Sequence, residues 1–233
     1  MLARETGLPI SLEHHYKFVV LLPLEADERM EALKHYFGIT YVGELVARGI
    51  EIKDMMFPIS SREFQTELLY TLFDCKDSAE VISNGYENSL LLVTQTIDRI
   101  MTGDIQLQDL VVSKLLGQDL DKYKSLFPHV SAAIQLTRAG KSRMAGNAVE
   151  YIYTDSRHSN PLCRVTPSEF MEAEDLDYDK EKYREMLFEA TETVLGSFGF
   201  DRSVYGNAAK KKIRKWWQEH SEERIRDRET ERV

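Results

Sequence analysis

Pro128-His129-Val130-Ser131-Ala132-Ala133-Ile134-Gln135-Leu136-Thr137-Arg138-Ala139-Gly140 reads as a helix with both ends marked. Proline suits the first helical turn, where its missing N–H would have had no intrahelical partner. Glycine suits the position just past the last turn, where the backbone reverses through positive φ.

Working outward from this stretch, the same 3.6-residue period recurs on both sides. Upstream, Phe64, Leu68, Leu69, Leu72 and Phe73 share one helical face. A second helix is predicted over residues 87–101, with Leu90, Val93, Thr94, Ile97, Ile100 and Met101 on its apolar stripe and Gly103 at its C-terminal cap. Leu110-Val111-Val112 reads as a short strand. Downstream, residues 149–153 read as a strand and residues 161–167 as loop. A last helix over residues 179–199 buries Tyr183, Met186, Leu187, Ala190, Val194 and Phe198, with acids at its start as the helix dipole prefers.

Before Pro58 the pattern is that of sheet. Phe18-Val19-Val20-Leu21-Leu22, closed by Pro23, has the form of a buried strand. Residues 25–36 are polar, rich in helix formers, and predict a helix or helical loop. Residues 39–46, a turn at Ala47-Arg48-Gly49, and Ile50-Glu51-Ile52 predict a β-hairpin. The class is α+β: a β-rich segment over 1–58, a helix-rich domain over 59–206, and a charge-dense tail over 207–233. Two or three strands do not make a stable sheet alone, so the first segment asks for a partner.

Composition sets bounds. The chain has 233 residues, 42% hydrophobic and 30% charged, as ordinary globular proteins do. No run of eighteen apolar residues exists to span a membrane. Residues 1–9 carry no signal-peptide core, which points to a cytoplasmic protein. Cys75 and Cys163 form no paired motif and are expected to be free thiols. The net charge of −9 hides a segregation. Residues 113–143 hold six Lys or Arg against two Asp, while residues 168–193 hold ten acids against three bases. Such segregation describes either two solvated faces or a nucleic-acid footprint.

No complete catalytic motif is present: no phosphate-binding glycine loop, no nucleophile elbow, no zinc-binding histidine pair. His14 and His15 precede a strand, where neighbouring side chains diverge and cannot share a metal. The acids of residues 168–193 read as surface.

Several collinear segments resemble the C-terminal third of archaeal family B DNA polymerases. Pro9-Ile10-Ser11-Leu12-Glu13-His14-His15-Tyr16-Lys17 resembles a palm strand of that family. Tyr41-Val42-Gly43 resembles the end of its basic–aromatic–glycine motif beside the primer. Arg48-Gly49-Ile50-Glu51-Ile52, followed by Glu63-Phe64-Gln65, resembles the passage from palm to thumb. Pro128-His129-Val130, Ala132-Ala133 and Arg138-Ala139-Gly140 resemble the thumb itself. Val149-Glu150-Tyr151-Ile152 and the acidic helix ending at Phe198-Gly199-Phe200 resemble the family's segments C-terminal to that stretch. The resemblance spans roughly residues 9–205.

It implies a β-rich palm fragment followed by a thumb that grips primer–template duplex through phosphates, without reading sequence. Lys114, Lys122, Lys124, His129, Arg138, Lys141, Arg143 and Tyr41 are then the expected DNA contacts. His129 reads equally as a capping or core histidine. In this family two metal ions, here Mg2+, align primer and nucleotide on palm aspartates. The chain contains no tyrosine-glycine-aspartate-threonine-aspartate run, so the ions are expected mainly on a large partner chain. The whole resembles the small chain of a split family B polymerase. Glu13 matches an acid near the metal site, with Ser11 where a companion acid would stand; it reads as either structural or metal-binding. The basic pair before Tyr41 is replaced by Ile39-Thr40, and a basic run after the hairpin by Asp54-Met55-Met56-Phe57. These departures fit an alternative reading, an inactive paralogue serving as an interaction or regulatory protein. A third reading is a free-standing nucleic-acid binder using Lys210 through Trp217, whose tryptophans would equally suit a protein partner.

Overall fold

The computed structural model describes residues 13–24, 27–48, 59–171 and 176–202. The expected features at residues 9–12 and 25–26, Ile50-Glu51-Ile52, Asp54 through Phe57 and the tail from Asn207 lie outside these residues.

Two antiparallel three-stranded sheets flank a set of three long helices. In the first sheet, β1 (Tyr16–Leu24), β2 (Asp27–Thr40) and β3 (Leu45–Arg48) lie in sequence order. Register puts Ile39 between Phe18 and Leu45, and Phe37 between Val20 and Ala47, so these six share one face. That face packs on α1 (Ile59–Phe73): the Phe73 ring lies 5.8 Å from Phe18 and 6.0 Å from Phe37. Lys17 Nζ donates to the Cys75 carbonyl at 2.6 Å, tying the sheet to the end of the helix. On the opposite face Val19 and Leu21 stay about half exposed.

Two expectations are corrected here. Residues 27–36 are strand, not helix, because pairing along β1 decides their conformation over local propensity. The hairpin turn is Tyr41-Val42-Gly43-Glu44 and not at Ala47-Arg48; Gly49, the third residue of the expected turn, lies outside the described residues. The Gly43 N–H bonds the Thr40 carbonyl at 3.0 Å, and the Thr40 hydroxyl accepts the Glu44 N–H at 3.0 Å. Gly43 has φ +83°, which glycine adopts freely. Ala47 and Arg48 continue the β3 strand.

After α1, one helical turn (Ser78–Glu80) and a π turn (Val81–Gly85) lead into α2 (Tyr86–Thr102). The expected α1 stripe is buried throughout, Leu68, Leu69 and Leu72 completely. Each such side chain contributes about 1.5–3 kcal/mol. In α2, Val93, Thr94, Ile97 and Ile100 are buried and Gly103 caps the end, as expected. Helix α4 (Lys180–Leu195) packs on both α1 and α2. Asp179 caps it by accepting the Lys182 N–H at 2.9 Å. Buried Gln65 on α1 donates to the Ala190 carbonyl at 3.2 Å across this packing. The expected helix length of 179–199 ends earlier, since residues after Leu195 tighten into a 3-10 turn (Gly196–Phe198).

The second sheet joins β4 (Val112–Leu115), β5 (Ala148–Tyr153) and β6 (Val165–Pro167). Leu110 belongs to a 3-10 turn, so the expected strand starts two residues later. The region read as loop contains β6, which pairs with β5 from Tyr151 to Tyr153. Helix α3 (Pro128–Arg138) covers β5 and β6, with Pro128 at its first turn. Gln135 Nε2 fixes it there, donating to the Leu162 and Val165 carbonyls at 2.9 and 2.8 Å. Among the described residues no helix is long and apolar enough to cross a membrane.

Candidate nucleic-acid interface

The six cations of residues 113–143 fall on β4, on the loop before α3, and on the end of α3 and the loop after it. Lys114 on β4 is half-buried, paired across the sheet with Val149. Lys124 is exposed on the loop before α3, and Arg138 is exposed in the last helical turn, where a cation suits the helix dipole. These three form no ion pair among the described residues.

The other three cations are engaged. Lys122 Nζ bonds Asp119 at 2.8 Å; this hydrogen bond raises the ammonium's pKa and lowers the carboxyl's. Lys141 Nζ bonds Glu169 at 2.8 Å, and the Arg143 guanidinium bonds the other oxygen of the same carboxylate. The Lys141 hydrogen bond, helped by the Arg143 charge, holds the Glu169 carboxyl below its ordinary range against a smaller opposing effect of burial.

Backbone geometry places Lys141. The Gly140 N–H bonds the Thr137 carbonyl at 3.0 Å and the Lys141 N–H bonds the Leu136 carbonyl at 2.8 Å. That pair of bonds, closed by Gly140 at φ +79°, is a Schellman cap. On the far side, the Gly146 N–H bonds the Leu116 carbonyl at 2.7 Å, pinning the loop after α3 to the end of β4.

His129 is 5% exposed and stands between two rings, 5.7 Å from Tyr123 and 6.0 Å from Phe127. Phe127 occupies the N-cap position and no side chain caps the helix, so His129 is a core histidine rather than a cap. Burial, and then the Lys114 charge, lower its pKa and favour the neutral ring.

Tyr41 is 65% exposed at the hairpin turn. Its N–H bonds the His15 carbonyl at 3.0 Å and its ring lies 4.5 Å from the His15 ring. The structure therefore brings Tyr41 beside His15, two residues after Glu13, where the chain enters β1. No hydrogen bond or ring contact joins that place to the basic cluster among the described residues. Glu13 is exposed, and no three His, Cys, Asp or Glu among the described residues converge as a metal site would require.

Glu169 was not legible as part of this cluster. It lies 26 residues from Arg143, inside an acidic run that reads as solvated surface. Asp119–Lys122 and Asp121–Lys124 share a spacing of three that local sequence shows, and among the described residues only the first forms an ion pair.

The sequence model of DNA polymerase family B matches residues 12–197. The chain belongs to the family B DNA polymerases. It is 27% identical over 168 residues to the DNA polymerase of Archaeoglobus fulgidus, covering 70% of this chain and 20% of that one. It is 25% identical over 200 residues to DNA polymerase 2 of Aeropyrum pernix, covering 84% and 22%. Its fold superposes on the family B DNA polymerase from the hyperthermophilic archaeon Pyrobaculum calidifontis with a TM-score of 0.63 at 24% identity, covering 83% of this chain and 23% of that one. The chain spans about a fifth of the length of these family B relatives.

Proposed function

We propose that this chain is the small chain of a heterodimeric family B DNA-directed DNA polymerase. Residues 1–58 serve as the end of the palm and residues 59–206 as the thumb on the primer–template duplex. The large chain carries the metal-binding aspartates and most of the Mg2+ coordination, with Glu13 as one candidate contributor. The observation that carries the reading is the distribution of charge on the α3 lobe. Lys114, Lys124 and Arg138 stand beside or on α3 without an acidic partner among the described residues, in a family whose substrate is a polyanion. Each cation that meets a phosphate releases counterion and adds affinity without reading sequence.

Tyr41 is proposed as a further DNA contact at the palm corner, since its ring is presented to solvent. His129 supports the interface from beneath, holding Phe127 and Tyr123 in place. Among the described residues β1 and β3 are the edge strands, where a larger palm sheet would continue. The inactive-paralogue reading draws on a different observation, that Lys122, Lys141 and Arg143 are already neutralised by Asp119 and Glu169.

Primer extension separates the two. A primed template, magnesium and nucleotides are supplied to the chain alone, to a family B large chain, and to both together. The small-chain role requires no incorporation by the chain alone and a gain in extension when the two are mixed. Incorporation by the chain alone overturns it, and an unchanged large chain favours the paralogue.

A further inference from the structure

We infer that Lys141 and Arg143 form a phosphodiester-binding site that Glu169 occupies in the DNA-free protein, as an internal stand-in for phosphate. The inference rests on the proposed DNA grip of the α3 lobe and deepens it. The two oxygens of one carboxylate are divided between two cations, Lys141 on one and Arg143 on the other. Two donors converging on one planar anion is also what two non-bridging phosphate oxygens require.

The cations are held for this task from several directions. The Schellman cap sets Lys141 immediately beyond α3, and its Nζ lies 5.7 Å from the centre of the Phe170 ring. The Arg143 guanidinium is drawn back toward its own loop, 3.3 Å from the Ser142 carbonyl and 3.5 Å from that of Lys141. Glu169 sits in the 3-10 turn (Ser168–Phe170) directly after β6, so the ion pairs bridge the loop after α3 to the end of the second sheet.

The group is reachable. Lys141, Arg143 and Glu169 side chains keep 50%, 26% and 30% of their exposure. Ion pairs this wet are weak, so a phosphate arriving with a whole duplex can displace the carboxylate. Its displacement leaves Glu169 free to draw a counterion of its own, which offsets part of the counterion release. The clamp therefore lowers affinity most at low salt and flattens the salt dependence. It sets the thumb to release and re-engage duplex instead of holding it fast.

The experiment measures binding of the full chain to a short duplex oligonucleotide by fluorescence anisotropy across a salt series. Glu169→Gln is expected to bind several-fold tighter at low salt, with the slope of log affinity against log salt steeper by no more than about 1, the single counterion that a displaced Glu169 would draw. The gain is expected to vanish when Lys141→Ala and Arg143→Ala are added. No gain from E169Q overturns the clamp, and so does a gain that survives in the triple variant, which would reflect net charge alone. A second comparison does not depend on E169Q folding. In the wild-type background, K141A with R143A is expected to cost less affinity than K124A with R138A, because an intact Glu169 already holds the first pair; an equal or larger cost overturns the clamp. Failure of the underlying reading looks different: K124A with R138A would then leave binding unchanged.

Discussion

The Tyr183 hydroxyl, on α4, accepts the Tyr153 N–H at 2.9 Å and donates to the Leu110 carbonyl at 2.8 Å. One side chain thereby ties α4 to β5 and to the approach to β4. Tyr183→Phe keeps the ring and leaves both buried backbone groups without that partner. A loss of about 1–3 kcal/mol is expected in chemical denaturation. His129 gives a pH signature. Its folded pKa is lowered, so the unfolded chain binds the proton more readily. Its contribution is intact above the ordinary imidazole value of 6.5 and is lost as pH falls from there toward the lower folded value. Asp119 and Glu169, whose carboxyls are held low, lose their contribution only farther down, below about 4. Stability measured against pH should thus show an upper step that His129→Phe removes and a lower one that it leaves. At this scale the sequence supplied the basic residues but not their partners. Lys114, Lys124 and Arg138 look the same in a row of letters as Lys141 and Arg143. Only folding reveals that Glu169 has claimed the latter two.

Among the elements, the helices were legible because one apolar stripe every 3.6 residues fixes both type and buried face. The α1 residues Phe64, Leu68, Leu69, Leu72 and Phe73 are all buried where that rule puts them. β2 was not legible, because Glu28, Glu31 and Lys34 are good helix formers and the strand pairing that overrules them is made with residues outside the segment. The π turn was likewise hidden, although its reason is a close approach. A Cβ on Gly85 would lie 2.3 Å from the Leu72 carbonyl oxygen and 3.0 Å from Cys75 Sγ. Its backbone is ordinary, with φ −60°, so the demand is for space and not for conformation. Gly85→Ala is expected to push α2 away from α1 and to cost about 1–3 kcal/mol, read as a lower denaturation midpoint. β1 and β3, the edge strands of the sheet among the described residues, carry a separate expectation. Amide exchange along residues 16–24 and 45–48 should slow when a family B large chain is added, if its palm sheet continues from them. Exchange rates that do not move would argue that this sheet is complete as it stands.

For the whole molecule, the proposed duplex grip depends on where charge lies, since the net of −9 is unfavourable to DNA and the excess of cations over residues 113–143 is not. Lys124→Ala with Arg138→Ala should weaken duplex binding about equally across sequences and reduce the salt slope by about 0.9 for each lost phosphate contact. Lys180→Ala with Lys182→Ala, at the start of α4, should do little; similar losses from both pairs would reduce the basic cluster to a solvated face. The packing of α4 has a consequence for how the chain is made. Gln65 and Ala190 are bonded across 125 positions of sequence, and α1 and α2 both rest on α4. The ribosome delivers α1 roughly 120 residues before α4 is complete, an interval of about 6–24 s at ordinary elongation rates. Throughout it, α1 has no α4 to pack on and Gln65 has no Ala190 carbonyl to bond. The nascent chain thus presents an apolar surface that its own translation closes last, and holdase chaperones at the ribosome should engage it until Leu195 has emerged.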